Sequence, residues 1–102
     1  MEHKEGVKFD QGKDRWDLMP WQELGDVAKV FTYGAAKYGD RNWEKGLKVE
    51  RLFAAAMRHI SSVANDEELD PESGLPHLAH ATANLLMWLN VQKKQSEIKE
   101  FQ

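Results

Sequence analysis

The 102-residue sequence contains no cysteine, which excludes disulfides, thiolate metal sites and thiol nucleophiles. Proline is sparse, with only Pro20, Pro71 and Pro76 present. Long apolar runs are missing too: the longest, Leu85 to Leu89, is far too short to cross a bilayer, so no membrane contact is expected. The start, Met1-Glu2-His3-Lys4-Glu5, lacks the apolar stretch of a signal peptide, and a cytoplasmic setting is expected. Nor is there any positive excess, since 14 Lys+Arg face 17 Asp+Glu for a net charge of −3. That balance argues against broad nucleic-acid binding.

What is present is unevenly distributed. Residues 1–51 hold ten acids and ten bases, whereas residues 52–102 hold seven acids and four bases. Asp66, Glu67, Glu68, Asp70 and Glu72 fall within seven consecutive positions, flanked by His59, His77 and His80. One reading of this cluster is a solvated acidic loop. The other is a divalent-cation site, because carboxylate and imidazole are ligands that Mg²⁺ or Mn²⁺ accept.

The spacing predicts an all-α chain of one domain, a compact bundle of about three main helices. Residues 1–19 show no sustained period and read as an extended arm; 20–92 form the helical domain; 93–102 form a polar tail, a fraying helical end. Pro20 suits the first turn of a helix, and Leu24, Val27, Phe31, Ala35 and Tyr38 recur at spacings of three and four. Gly39-Asp40 ends that helix. A loop to Lys48 precedes a second helix, from about Val49 to Asn65, with Leu52, Phe53, Ala56, Ile60 and Val63 as its apolar stripe. Pro71 and Gly74 interrupt the chain, and Pro76 opens a third helix. Leu78, Leu85 and Leu89 give this helix one apolar face, and Leu86, Met87 and Trp88 extend it most of the way around. Such a helix needs cover on nearly every side. A chain of this length hides only about two thirds of its unfolded surface. A homo-oligomer, dimer or higher, is therefore expected through the second and third helices.

His77 and His80 lie three apart, with Asn84 four further on, all on one helical face. Their place in the first turn favours neutral, ligand-competent imidazoles. The competing reading is two partly buried histidines bonded to backbone or Asn84. Asp70-Pro71-Glu72-Ser73-Gly74 is a rigid connector whose Ser73 is placed to cap the third helix. Arg51 and Arg58 lie seven apart on one face, either a phosphate clamp or a solvated stripe paired to the acidic loop. Lys13 and Arg15 sit beside Gly12 and Trp16 without the spacing of a Walker loop. Lys37 and Arg41 flank Tyr38, Asn42 and Trp43, where Trp43 either stacks on a base read by Asn42 or covers the core.

Four blocks taken together resemble a known family. They are Lys8-Phe9-Asp10-x-Gly12-Lys13-x-Arg15-Trp16-x-Leu18-x-Pro20, Thr32-Tyr33-Gly34-Ala35-x-Lys37-Tyr38-Gly39-Asp40-Arg41-Asn42-Trp43-x-Lys45-Gly46, Arg51-Leu52-x-x-Ala55-x-x-Arg58-His59, and Asp70 to Ala81 followed by Asn84. The sequence is similar over about residues 7–90 to the largely phage-borne dATP/dGTP diphosphohydrolase amino-terminal domain. That family looks related to the all-α nucleotide pyrophosphatases of the MazG type, which hold Mg²⁺ with E-x-x-E and E-x-x-D carboxylates. This sequence has His77-x-x-His80 in place of the latter and no E-x-x-E on its second helix. Glu67, Asp70 and Glu72 stand in for the missing acids.

The resemblance implies a metal-dependent pyrophosphohydrolase of purine deoxynucleoside triphosphates, phage- or prophage-encoded. Glu67, Asp70, His77 and His80 would hold Mg²⁺ or Mn²⁺, and His59 or Glu72 would be the general base. Lys13, Arg15, Lys37, Arg51 and Arg58 would neutralise phosphate. Arg41, Asn42, Trp43 and Asn84 would complete the substrate contacts. The alternative is a non-catalytic phage or prophage module that binds a nucleotide or a protein partner.

Overall fold

The computed structural model describes residues 6–100; residues 1–5 of the arm and 101–102 of the tail lie outside them. The chain is all-helical, with three helices and no strands among the described residues: α1 (Trp21–Tyr38), α2 (Val49–Ala64) and α3 (His77–Glu100). Short 3-10 turns, Trp16–Leu18 and Asn42–Lys45, precede α1 and α2.

The helix ends follow local chemistry. The Pro20 carbonyl accepts the Leu24 N–H, so proline stands immediately before α1. Gly39, at φ +97°, donates its N–H to Ala35 and turns the chain away, a conformation that glycine adopts without a Cβ clash. At the end of α2 the Glu67 N–H bonds Ser62 and the Asp66 N–H bonds Val63. This is a Schellman closure with Asp66 in the left-handed region at φ +65°. Asp66→Gly removes the Cβ cost of that conformation. It is expected to stabilise the fold by about 1 kcal/mol, raising Tm by roughly 4–8 °C; calorimetry checks it.

The connector between α2 and α3 is pinned by its own backbone. His77 N–H bonds Glu68, Asp70 N–H bonds Leu75, and Gly74 N–H bonds Asp70. Leu69 and Pro76 form an isolated antiparallel bridge. The Pro76 carbonyl accepts the Ala79 and His80 N–H groups and so begins α3. Ser73, placed by the sequence as a cap, turns its hydroxyl to Asp70 and His80 instead. Helix α3 runs without a break through the described part of the segment read as a polar tail.

Helix α3 is the shared element, with α1 and α2 each packed on it. Its buried apolar residues are Ala79, Ala81 and Ala83, whose small side chains let a neighbouring helix come close. Val27 and Val30 of α1 pack with Ala79 and Ala83, flanked by Phe31 and Leu75. From α2, Leu52 and Ala56 are buried. Phe53 meets Trp88 edge-on at 5.9 Å, and His59 meets His77. Contacts thus run in opposite directions along the two helices, making α2 and α3 an antiparallel pair.

The arrangement is open. Its radius of gyration is 18.3 Å, against about 13 Å for a close-packed domain of this length. Phe53, Met57 and Ile60 on α2 and Leu78, Leu85 and Leu89 on α3 stay exposed, several by about half their area.

Candidate functional site

Where α2, the connector and the start of α3 meet, three histidines come together. The His59 and His77 Nδ1 atoms are 2.8 Å apart. The His59 ring stacks on His80 at 4.6 Å between centroids and 10° between planes. His77 is 3 % exposed and His80 9 %, so neither is a casual surface residue. Each is anchored from behind: His77 Nε2 by Glu67 Oε1 at 2.7 Å, His80 Nε2 by Ser73 Oγ at 2.7 Å. Ser73 also gives its backbone N–H and its hydroxyl to Asp70 Oδ2, at 2.9 and 2.8 Å.

Donor atoms of His59, Asp70 and His77 all lie within 4.8 Å of one another. Two cis ligands about 2.1 Å from one ion stand roughly 3.0 Å apart, close to the separation of the two Nδ1 atoms. Glu67 behind His77 is the carboxylate–histidine arrangement that orients a metal-ligating ring. Two imidazoles and one carboxylate fit a first-row divalent ion that accepts nitrogen; Mg²⁺ prefers oxygen and retained water.

The cluster opens on a cleft of about 1240 Å³ between the end of α1, the Asn42–Lys45 turn, α2 and α3. Lys37, Arg41, Asn42, Trp43, Arg51, Arg58 and Asn84 all line it, as do His59, Asp70, Glu72 and His80. The structure therefore brings most of the sequence-selected residues to one place. Lys13, Arg15, Glu67 and His77 are not in its lining; His77 is buried beside His59, and Arg15 forks onto Asp17 through two hydrogen bonds.

The lining cations differ in their engagement. Lys37 grips Glu72 at 2.6 Å, which holds the Glu72 carboxyl below its ordinary pKa and leaves it a poor proton acceptor. Arg41 pairs with Glu44 and lies over Trp43, while Trp43 meets Phe31 edge-on at 6.0 Å. Arg51 and Arg58 are exposed and make no ion pair among the described residues. Asn84 donates to the His80 carbonyl.

Two residues of the site escaped the sequence reading. Ser73 has the composition of an ordinary turn residue, and only the fold reveals that it joins Asp70 to His80. Tyr33 meets His80 edge-on at 6.3 Å, and the neighbouring Glu72 carboxylate raises its pKa. Its position one turn before Lys37 on the cleft face of α1 was the available signal.

Burial lowers the pKa of both His59 and His80, and their mutual proximity adds to it at His59. Asp70 is pulled the other way by burial, but the two Ser73 donors outweigh that and hold it below its ordinary value. The unfolded chain, with ordinary histidines near pH 6.5, binds more protons than the fold below that pH. Stability of the metal-free protein is therefore flat above about pH 7 and falls as pH drops from about 6.5 through the lowered folded values. Urea midpoints measured in chelator between pH 5 and 8 check this.

Residues 3–100 match the family model described as dATP/dGTP diphosphohydrolase, N-terminal. The chain belongs to this family. It is 43% identical over 86 residues to a protein named dATP/dGTP diphosphohydrolase from Salmonella phage PMBT28. That alignment covers 82% of this chain and 29% of the phage protein, so the chain spans less than a third of that relative's length. No solved structure matches it. Within the family, this chain places a histidine-rich centre beneath an arginine-lined cleft.

Proposed function

We propose that the protein is a metal-dependent diphosphohydrolase of purine deoxynucleoside triphosphates of the dATP/dGTP type. One observation carries this reading: donor atoms of His59, Asp70 and His77 converge beside a cleft that His59 and Asp70 line, and whose cations without an ion pair among the described residues are Arg51 and Arg58. The name of the phage relative supports the substrate class.

A divalent cation bound by His59, Asp70 and His77 would polarise the phosphates and lower the pKa of an attacking water. The donor set favours Mn²⁺ over Mg²⁺ among the two ions expected from the sequence. Arg51 and Arg58, two helical turns or about 10 Å apart, receive the phosphate charge. Lys37 joins them by exchanging Glu72 for phosphate. Asn42 and Trp43, both in the cleft lining, contact the base. Glu67 supports His77 rather than ligating the ion itself.

A second copy of the chain is part of the proposal. The exposed stripes of α2 and α3 are continuous with the antiparallel pair that carries the histidines, and a second copy would cover what α1 leaves open. Light scattering at micromolar concentration should give at least twice the 11.8 kDa chain mass; a monomer would remove this part.

The test is incubation of the purified protein with each deoxynucleoside triphosphate and Mn²⁺ or Mg²⁺, with separation of products. Pyrophosphate and monophosphate, formed faster from dATP and dGTP and with Mn²⁺, are expected. Tight nucleotide binding without turnover would favour the non-catalytic binding module.

A further inference from the structure

The proton on each ring follows from what faces it. A carboxylate oxygen only accepts hydrogen bonds. In a neutral His77, Nε2 therefore carries the proton toward Glu67 Oε1, and Nδ1 keeps its lone pair. The single hydroxyl proton of Ser73 points to Asp70 Oδ2. Ser73 Oγ can then only accept from His80, so His80 also carries its proton on Nε2. His80 Nδ1 has no hydrogen-bond partner among the described residues, yet none of their buried side-chain nitrogen or oxygen atoms is left unpartnered. This nitrogen is therefore not fully enclosed, and His80 is among the residues that line the cleft.

We propose that two tethers, Glu67–His77 and Asp70–Ser73–His80, fix both rings as Nε2–H tautomers and assign them different work. His77 Nδ1 is a metal ligand, and His80 Nδ1 is the general base for the attacking water. This exchanges the roles that the sequence suggested for His59 and His80, moving His59 to the metal and His80 to the proton. The catalytic half rests on the diphosphohydrolase reading above; the tautomers do not.

In the reaction, His80 Nδ1 takes a proton from water and becomes imidazolium. The water oxygen forms a bond to the α-phosphorus. The bond from that phosphorus to the α–β bridging oxygen breaks, and its electron pair leaves with pyrophosphate. The imidazolium returns its proton to solvent, and no other reactant is needed. Asp70, acting through Ser73, steadies the positive ring. Glu67 and Ser73 are positioning residues.

Long-range ¹⁵N–¹H NMR of the metal-free protein reads the tautomers directly. Nε2–H is expected at both His77 and His80. Glu67→Gln should admit the Nδ1–H form at His77 alone, since the amide donates as well as accepts, and Ser73→Ala should do so at His80 alone. In a Mn²⁺ titration, Glu67→Gln should weaken binding about 10–100-fold, whereas Ser73→Ala, which keeps the backbone N–H on the ligand Asp70, should weaken it less. His80→Gln should lower kcat by about 10²–10⁴-fold with KM unchanged, and Ser73→Thr, which keeps the hydroxyl, should retain activity that Ser73→Ala loses. An Nδ1–H tautomer at either ring in the wild type would overturn the proposal. So would an equal loss of Mn²⁺ affinity in Ser73→Ala and Glu67→Gln. A wild type that releases no pyrophosphate would sink the diphosphohydrolase reading and the base role of His80 with it; the NMR and Mn²⁺ series would still decide the tethers.

Discussion

His59→Ala is expected to weaken Mn²⁺ binding by more than about 100-fold and to remove pyrophosphate release. The expectation follows from the geometry of a single contact. His59 comes from α2 and His77 from α3, and their Nδ1 atoms are 2.8 Å apart. Neither helix alone can supply both nitrogens. Outer residues that merely orient a ligand are worth about 10–100-fold in metal affinity, and deleting a ligand should exceed that. His59 is only half-buried and its ring lies on His80 without filling the core. The variant should therefore keep the helical circular dichroism of the wild type. Calorimetric Mn²⁺ titration gives the affinity, and unchanged binding would place the ion elsewhere.

The second large effect is expected at Arg58. Hydrogen bonds to a charged partner contribute about 1.5–3 kcal/mol, so Arg58→Ala should lower kcat/KM about 10–100-fold. Arg51→Ala should act similarly, and the pair together should reach roughly 10³-fold. Arg58→Lys should not restore the loss if the guanidinium binds two phosphate oxygens at once. Neither arginine hydrogen-bonds a metal-facing nitrogen, and the Arg58 charge acts against a positive charge at His59, so Mn²⁺ affinity without nucleotide should not fall. Steady-state kinetics separates this from the His59 result.

The helices were legible because their boundaries are written in local chemistry. Pro20, Gly39 and Pro76 act within one turn of themselves, and the spacing of Leu24, Val27 and Phe31 needs only the pitch of a helix. Asp70 and His77 were likewise legible as a pair, since a short, rigid connector brings them together. How the three histidines face one another was not legible. Which of His59 and His80 faces His77 depends on the rotation of α2 against α3, set by Leu52, Ala56 and the α3 alanines across many residues. Ser73 was read as a cap because capping is its commonest local use; its bonds to Asp70 and His80 appear only when the connector closes. Lys13 and Arg15 carry the right charge, but their segment lies outside the cleft lining.

In the proposed centre one divalent ion is held by these imidazoles while it touches nucleotide phosphate. Pulsed electron paramagnetic resonance of the Mn²⁺-loaded protein with a non-hydrolysable dATP analogue tests it most directly. Couplings to imidazole ¹⁴N and to phosphate ³¹P are expected in the same Mn²⁺ centre, with the nitrogen coupling reduced in His59→Ala. A Mn²⁺ signal with phosphorus coupling but no nitrogen coupling would contradict the account, because the nucleotide alone would then be holding the ion.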